Sequence, residues 1–209
     1  MVKKLMLIGG GGHCHSVLDS VLSLNQYDEV GIIDNVESTY FNVPVIGVDE
    51  DIPKLFKEGW TEAFVTVGSV GNTEIRRRIY EMIEEVGLTV PTIVDPTAII
   101  AKCVTIGRGS YVGKRVVINS GSSIGVCAII NTGAIIEHDC IVGDFSHISS
   151  GTVLCGQVSI GDDSHVGAGS TVRQTIRVGD RSLIGAGSVV VKEIPSNVKA
   201  YGNPCKAVE

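Results

Sequence analysis

Residues 118–153 read INSGSS, IGVCAI, INTGAI, IEHDCI, VGDFSH and ISSGTV when they are written six at a time. Each group begins with an aliphatic residue, and this spacing holds without exception from Ile100 to Val190. An α-helix repeats its apolar residues at spacings of three and four, and a β-strand repeats them at two, so a period of six requires another geometry. The pattern predicts a β-solenoid built from hexapeptides.

Two other positions of the hexapeptide also have a preferred composition. A small residue usually stands two places before the aliphatic one, and Gly or Asn usually follows it. We expect the small residue to fill a tight corner, and the Gly or Asn to allow a positive φ and close backbone approach at a bend. Three bends per turn give a triangular prism of about 18 residues per coil, with roughly 4.8 Å between coils. Known hexapeptide solenoids resemble left-handed helices, so we interpret this region as a left-handed parallel β-helix.

The chain before residue 91 follows a different pattern. A buried-strand pattern at residues 5–8 is followed by a glycine turn at 9–12 and a helical pattern at 16–24. Further strands are predicted at 30–34, 43–47 and 63–68, and helices at 50–57 and 72–86. We therefore expect a small Rossmann-like α/β domain over residues 1–90 and a left-handed β-helix domain with a C-terminal tail over residues 91–209.

The glycine turn is a candidate ligand-binding loop. It lacks the full GxGxxG spacing, so a loop with a purely structural role is the alternative. Because only one short half of a dinucleotide fold is present, a nucleotide-linked substrate is expected rather than a dinucleotide cofactor. Asp34 stands about two dozen residues after the first glycine, where such folds often place a ribose contact. His13 and the backbone amides at the helix start could meet a phosphate. Metal binding is not expected, because His13, Cys14 and His15 are too closely spaced.

Bulk composition excludes several classes of protein. The net charge of −6 argues against a general nucleic-acid surface. The apolar stretch near the amino terminus is too short for a signal peptide or a membrane span. Six cysteines without a CxxC pair fit a reduced protein, so we expect a cytoplasmic location with neither membrane nor nucleic-acid partners.

The segment Glu137-His138-Asp139 departs from the Gly or Asn that usually begins a bend. A histidine near neutral pKa can accept a proton from an amine or hydroxyl that attacks an acyl carbon. Glu137 or Asp139 can pair with this ring only if the chain bends, because adjacent strand residues point to opposite faces. His147 lies half a coil beyond His138, and His165 a full coil beyond His147, so the last two should stack. Surface histidines without a task remain the alternative.

Several segments, taken together, resemble the NeuD/PglD-like sugar acetyltransferases over essentially the whole chain. These segments are the glycine-histidine loop Gly9–His13, the run VGSVGNTEIR at 67–76, the uninterrupted hexapeptides, IEHDC at 136–140, GDFSH at 143–147 and GNPCK at 202–206. The resemblance implies a homotrimer that binds acetyl-CoA in the groove between neighbouring solenoids, with the sugar substrate reaching in from the amino-terminal domain.

The resemblance also implies roles for individual residues. His138 matches the general base, and Asp139 stands where relatives carry Glu or Asp to raise that base's basicity. Because Asp is shorter than Glu, we expect the contact of Asp139 with His138 to use a different rotamer. His147 matches a residue near the acetyl-CoA thioester, where a donor could stabilise the oxyanion. The remaining matches are nucleotide-sugar contacts at Gly11, Gly12, His13, Asp34, Asn35 and Gly68, and acetyl-CoA contacts at His147, Gly156, Ala168, Ala186, Pro204 and Lys206.

Three functional hypotheses follow. The leading one is direct transfer of acetyl from acetyl-CoA to the amino group of a UDP- or dTDP-4-amino sugar, for bacterial surface glycans. The second is O-acetylation of a sialic acid or a related nonulosonic acid. The third is a non-catalytic trimeric scaffold whose α/β half senses a nucleotide-sugar.

Overall fold

The computed structural model describes residues 2–36, 39–40 and 42–208. The chain divides into two compact units. The first contains the chain up to Gly68 together with Glu74–Ile93, and the second contains Ser69–Thr73 together with the chain from Val94 onward. Ser69–Thr73 therefore packs with the second unit, although it lies in the sequence between two parts of the first unit.

The first unit is a five-stranded sheet with helices, which confirms the predicted Rossmann-like α/β fold. The strands are β1 Lys4–Ile8, β2 Glu29–Ile33, β3 Thr39–Tyr40, β4 Val43–Gly47 and β5 Glu62–Val65; the helices are α1 Gly12–Leu24, α2 Ile52–Lys57 and α3 Glu74–Val86, with a 3₁₀ turn at Asp49–Asp51. The strand order is β3-β4-β2-β1-β5, with β1 parallel to both β2 and β5.

Two element boundaries differ from the sequence prediction by three residues or more. Helix α1 begins at Gly12 rather than at residue 16, because Gly11 is extended and its carbonyl accepts the first bond, from the Cys14 amide. Glycine and histidine are poor helix formers, so periodicity alone does not reach this first turn. Strand β5 ends at Val65, which leaves the chain to Gly68 as a loop.

Among the described residues, no helix is long and apolar enough to cross a membrane.

The second unit is the predicted left-handed parallel β-helix, with three sheets as its faces. Strands one coil apart pair in register at a spacing of 18 residues, as Ile118 does with Ile136. The first face contains Ile99–Ile100, Val117–Ile118, Ile135–Ile136, Val153–Leu154, Thr171–Val172 and Val189–Val190. The second contains Thr105–Ile106, Ser123–Ile124, Ile141–Val142, Ser159–Ile160 and Arg177–Val178. The third contains Ile93–Val94, Tyr111–Val112, Ile129–Ile130, His147–Ile148, His165–Val166, Leu183–Ile184, Lys199–Tyr201 and, antiparallel at its edge, Lys206–Val208.

The aliphatic ladder forms the core, as predicted: from Val112 to Val190 every sixth residue is buried. Where the residue two places earlier is Ser or Thr, it does more than fill a corner, because its hydroxyl bridges successive coils. Ser164 is typical, since its Oγ donates to the Gly179 carbonyl at 2.7 Å and accepts from the Ser182 amide at 3.0 Å. These buried hydrogen bonds tie each coil to the next.

The prediction about the bends was half wrong. Residues in the left-handed region, such as Asp139 at φ 59°, stand three places after the aliphatic position rather than directly after it. The glycine directly after the aliphatic residue is required instead for close approach between coils, since a Cβ on Gly107 would lie 2.5 Å from the backbone of Gly125. The sequence pattern did not separate these two reasons for a small residue.

Candidate functional site

His138 and Asp139 lie in the turn between a first-face strand and a second-face strand. Asp139 adopts φ 59°, and this left-handed bend brings its carboxylate to the side of the histidine that precedes it. Nδ1 of His138 lies 2.9 Å from Oδ2 of Asp139. The two side chains are 59% and 57% exposed, so the pair faces solvent. A carboxylate at Nδ1 favours the tautomer in which Nε2 has a lone pair, as a general base requires.

Gly156 stands one coil beyond His138 and makes room for its imidazole. A Cβ on Gly156 would lie 2.6 Å from Cε1 of the ring, and closer still to Nε2. The equivalent positions one coil before His138 and one coil beyond Gly156 hold Ser120 and Gln174, so this corner does not itself require glycine. Gly156 does not have a positive φ either. The ring of His138 is therefore what excludes a side chain here.

Glu137, the other candidate partner for His138, is directed elsewhere. Its Oε2 accepts from Asn119 Nδ2 at 3.0 Å, and its carbonyl accepts from Ser122 Oγ at 2.7 Å, so it is bonded to the preceding coil.

Cys140, which follows Asp139 in the sequence, is fully buried. Burial raises the pKa of its thiol, which keeps the sulfur protonated and unsuited to nucleophilic attack.

His147 and His165 lie on neighbouring coils of the third face, as their spacing of one coil predicted, and their rings meet edge to face. Their ring centroids are 4.8 Å apart, with the planes at 89°. His147 Nδ1 lies 3.0 Å from the Ser69 carbonyl oxygen, and its Nε2 lies 3.3 Å from Asn131 Nδ2. His165 is buried, with Nε2 at 3.2 Å from Ser149 Oγ. Burial lowers the pKa of His165, which favours the neutral ring, while the nearby Ser69 carbonyl opposes this shift.

One chain does not bring all the expected acetyl-CoA residues together. His138 and Gly156 lie at the corner between the first and second faces, whereas His147 lies on the third face, opposite that corner. Ala168 and Ala186 lie one coil apart and exposed, at the corner that follows the third face. The sequence spacing alone did not reveal that these residues occupy different sides of the prism.

Pro204 and Lys206 lie in the C-terminal hairpin. The peptide bond from Asn203 to Pro204 is cis, and it stands in the turn between the antiparallel strands Lys199–Tyr201 and Lys206–Val208. Pro204 and Lys206 are exposed, while the Cys205 amide between them donates to the Val189 carbonyl at 2.8 Å. The segment that contains Pro204 and Lys206, the two expected acetyl-CoA contacts of the tail, is thus hydrogen-bonded to the last strand of the first face.

In the first unit, Asp34 organises the glycine loop. Gly9 has φ 103°, and a Cβ there would lie 2.5 Å from Val67 Cγ2, so only glycine fits. Asp34 Oδ2 accepts from the Gly10 amide at 2.5 Å, and Oδ1 accepts from the Val36 amide at 3.0 Å. The carboxylate expected to contact a ribose therefore also holds the loop, a role that the sequence did not indicate.

The other predicted nucleotide-sugar residues surround the start of α1. Gly11 caps this helix and Gly12 is its first residue; both are exposed, with no atom within 4 Å of where a Cβ would lie. Gly68 lies beside His13, with 3.4 Å between a Cβ built on the glycine and the histidine Cβ. Asn35 is exposed and follows β2 by two residues. Loops at the carboxyl ends of parallel strands, next to the positive end of a helix, are typical anion and nucleotide sites.

The described part of the chain contains no candidate metal-binding site. No three or more His, Cys, Asp or Glu residues there are grouped so as to hold a metal ion. None of the six cysteines, all of which are described, forms a disulfide bond.

The two units match different family models. Residues 4–83 match the PglD N-terminal domain, residues 139–174 match the bacterial transferase hexapeptide (six repeats), and residues 157–192 match the hexapeptide repeat of succinyl-transferase. Each unit therefore has its own family relationship, in agreement with the division seen in the fold.

Solved structures are similar to the whole chain. The acetyltransferase domain of PglB from Neisseria gonorrhoeae, in complex with acetyl coenzyme A, is 34% identical, with a TM-score of 0.93 and 100% of both chains covered. PerB from Caulobacter crescentus, in complex with CoA and GDP-perosamine, is 33% identical, with a TM-score of 0.93, and the match covers 100% of this chain and 99% of that one. WeeI from Acinetobacter baumannii, at 20% identity and a TM-score of 0.88, shares the fold, with 99% of this chain and 100% of that one covered.

Proposed function

The chain belongs to the NeuD/PglD-like family of sugar acetyltransferases, and we propose that it transfers acetyl from acetyl-CoA to the amino group of a nucleotide-activated amino sugar. The observation that carries this proposal is the pairing of His138 Nδ1 with Asp139 Oδ2 at 2.9 Å, in a chain similar over its full length to acetyltransferases. The absence of disulfides among the six cysteines supports a reaction in the cytoplasm.

His138 is the general base of the proposed reaction. Nδ1–H of His138 donates a hydrogen bond to the Asp139 carboxylate, so the lone pair on Nε2 is available to the sugar amine. As the amine nitrogen attacks the thioester carbon, Nε2 takes the amine proton and the imidazolium is stabilised by the Asp139 carboxylate. The tetrahedral intermediate then collapses, the carbon–sulfur bond breaks, and the CoA thiolate receives the proton from His138. No covalent enzyme intermediate is needed.

The first unit holds the nucleotide of the substrate. Its glycine loop and the start of α1 present backbone amides where a diphosphate would lie, and no acidic residue stands in the first helical turn to repel it. GDP-perosamine, bound by PerB, is a nucleotide-linked amino sugar of the class we propose. We propose that Gly11, Gly12 and His13 contact the phosphates, with Asp34, Asn35 and Gly68 completing the nucleotide-sugar site.

We also propose that the enzyme is a homotrimer. The outward positions of the first face form an apolar stripe, and His138 stands at the edge of that face. A second copy packed on this stripe would bury apolar surface and close a groove beside His138. Acetyl-CoA in such a groove would contact the corner of one copy, where Gly156 lies, and a different side of the neighbouring copy. This arrangement would explain why Ala168, Ala186, Pro204 and Lys206 lie away from that corner. The stripe consists of Ile99, Val117, Ile135, Val153 and Val189, with the polar Thr171 between the last two.

A thiol-release assay tests the proposed function. Purified protein and acetyl-CoA are mixed with UDP-, dTDP- and GDP-linked 4-amino sugars and, separately, with free sialic acid. We expect CoA release only with one or more nucleotide-linked amino sugars, and its loss when His138 is replaced by Ala. Release with sialic acid alone would indicate O-acetylation instead. No release, together with no CoA binding by calorimetry, would favour the non-catalytic scaffold.

A further inference from the structure

The Asp139 carboxylate lies against the coil that precedes it. Its Oδ2 is 2.9 Å from Nδ1 of His138, and its other oxygen, Oδ1, lies where a side chain on Gly121, one coil earlier, would begin. A Cβ built on Gly121 would overlap with Oδ1 and would stand 3.3 Å from the carboxylate carbon. The Asp139 amide also donates to the Ser120 carbonyl at 3.0 Å. Oδ1 therefore has room only because residue 121 has no side chain.

The backbone at position 121 does not by itself require glycine. Gly121 adopts φ 77°, in the left-handed region. The equivalent residues of the next three coils are Asp139, Gln157 and Thr175, at φ 59°, 63° and 63°. This bend of the solenoid therefore accepts residues that have a Cβ. What distinguishes position 121 is the carboxylate that the following coil places against it.

A displaced carboxylate loses its hydrogen bond to the ring. The two oxygens and Cγ of Asp139 form one rigid plane, and only two torsions join that plane to the backbone. Moving Oδ1 away from a Cβ at position 121 therefore also moves Oδ2, the atom that faces Nδ1 of His138. A glutamate would have a third torsion with which to restore this contact, whereas the shorter Asp139 has none.

We propose that Gly121 is a positioning residue of the acetyl transfer: because it has no side chain, the short Asp139 carboxylate can lie against the preceding coil and hold the ring of His138. This inference rests on the proposed function, because it takes His138 as the general base. Gly156 makes room for the ring from the following coil, and Gly121 makes room for the carboxylate from the preceding one. The pair is thus bounded by a glycine on each side.

Acetyl-transfer kinetics of Gly121→Ala test the role of this glycine. Loss of the exposed contact between Asp139 and His138 should lower kcat about fivefold, while CoA affinity in calorimetry stays unchanged. The matched control is the same substitution in an Asp139→Gly background, where no carboxylate remains to be displaced. We expect Asp139→Gly alone to lose about fivefold and the double variant to lose no more. Wild-type kcat in Gly121→Ala, or losses that multiply to about 25-fold in the double variant, would overturn the proposal.

Nitrogen-15 NMR of histidine-labelled protein measures the contact without any substrate, with a His138→Gln variant to assign the signals. At about pH 9, where imidazole is neutral, the Asp139 carboxylate should keep the ring proton of His138 on Nδ1 in the wild type. In Gly121→Ala we expect part of this proton to move to Nε2, as in Asp139→Gly. Identical His138 signals in Gly121→Ala and the wild type would mean that the carboxylate has not moved, and the positioning role would be wrong.

The strain of a left-handed alanine is measured separately. Gly133 has φ 67°, and no atom beyond its chain neighbours lies within 4 Å of where its Cβ would stand. Gly133→Ala therefore introduces the same backbone strain without a side-chain contact, and Gly121→Ala should lower Tm by a similar amount. If Gly121→Ala does not fold, Gly121→Asn takes its place in both experiments, because asparagine tolerates the left-handed region and still places a Cβ against Oδ1 of Asp139.

The two proposals can fail separately. If the wild type transfers no acetyl group to any nucleotide-linked amino sugar, the proposed function fails, yet the NMR signals of His138 still report whether residue 121 controls its contact with Asp139. If transfer occurs but Gly121→Ala changes neither kcat nor the His138 signals, only the positioning role of Gly121 fails.

Discussion

Replacing Gly156 by alanine tests the geometry of the general base. A Cβ at this position would lie 2.6 Å from Cε1 of His138, whereas carbon atoms at optimal contact are roughly 3.5 Å apart. The imidazole must therefore move by about 1 Å, and this movement also disturbs its 2.9 Å bond to Asp139. A displacement of that size in a catalytic site lowers the rate by about a hundredfold. We expect kcat of Gly156→Ala to fall by about that factor.

Steady-state acetyl transfer measures this effect, and two further variants separate ring displacement from other causes. Gln174→Ala changes a side chain at the equivalent position one coil further, so it should keep a kcat close to that of the wild type. The double variant His138→Ala with Gly156→Ala should be no slower than His138→Ala alone, because no ring remains to be displaced. A Gly156→Ala enzyme with wild-type kcat, or losses that simply multiply in the double variant, would refute the reasoning.

Three further predictions concern the dyad and the solenoid. Asp139→Asn keeps a residue that tolerates the left-handed bend but loses the charge; because the pair is more than half exposed, its contribution is about 1 kcal/mol, so kcat should fall about fivefold while CoA affinity in calorimetry is unchanged. Ser164→Ala removes two buried hydrogen bonds, so Tm in a thermal melt should fall by about 4–8 °C, whereas the outward-facing Ser123→Ala should leave it unchanged. Burial lowers the pKa of His165 in the folded protein below its ordinary value of 6.5, so the unfolded chain binds the proton more tightly. The folded protein therefore loses stability as the pH falls below about 6.5. Between about pH 7 and pH 5.5, Tm should drop less in His165→Gln than in the wild type.

The fold could be predicted because its signal is periodic. Burial of one residue in six requires a solenoid, and the ladder from Val112 to Val190 is buried as expected. The bends were harder to predict, because a glycine can be selected for positive φ or for close approach, and the letter is the same. Asp139 shows the difference: its position, three places after the aliphatic residue, is the left-handed one, although it is not a glycine.

The candidate site was predicted as a set of residues rather than as an arrangement. The choice between Glu137 and Asp139 as the partner of His138 depended on the bend, which only the backbone angles could decide. The family resemblance implied an acetyl-CoA contact at Gly156, but it did not indicate that this glycine also makes room for the ring of His138. The partners of His147 could not be foreseen either, because Ser69 is 78 residues away in the sequence and reaches the ring through its backbone.

Acetyl transfer by His138→Ala, measured beside calorimetric binding of CoA, tests the central claim most directly. Removal of a general base costs about a hundredfold or more in kcat. The account predicts a loss of at least that size with CoA affinity close to that of the wild type, since the ring takes a proton from the amine and does not hold the cosubstrate. A variant that transfers acetyl at the wild-type rate would contradict the assignment of His138 as the base.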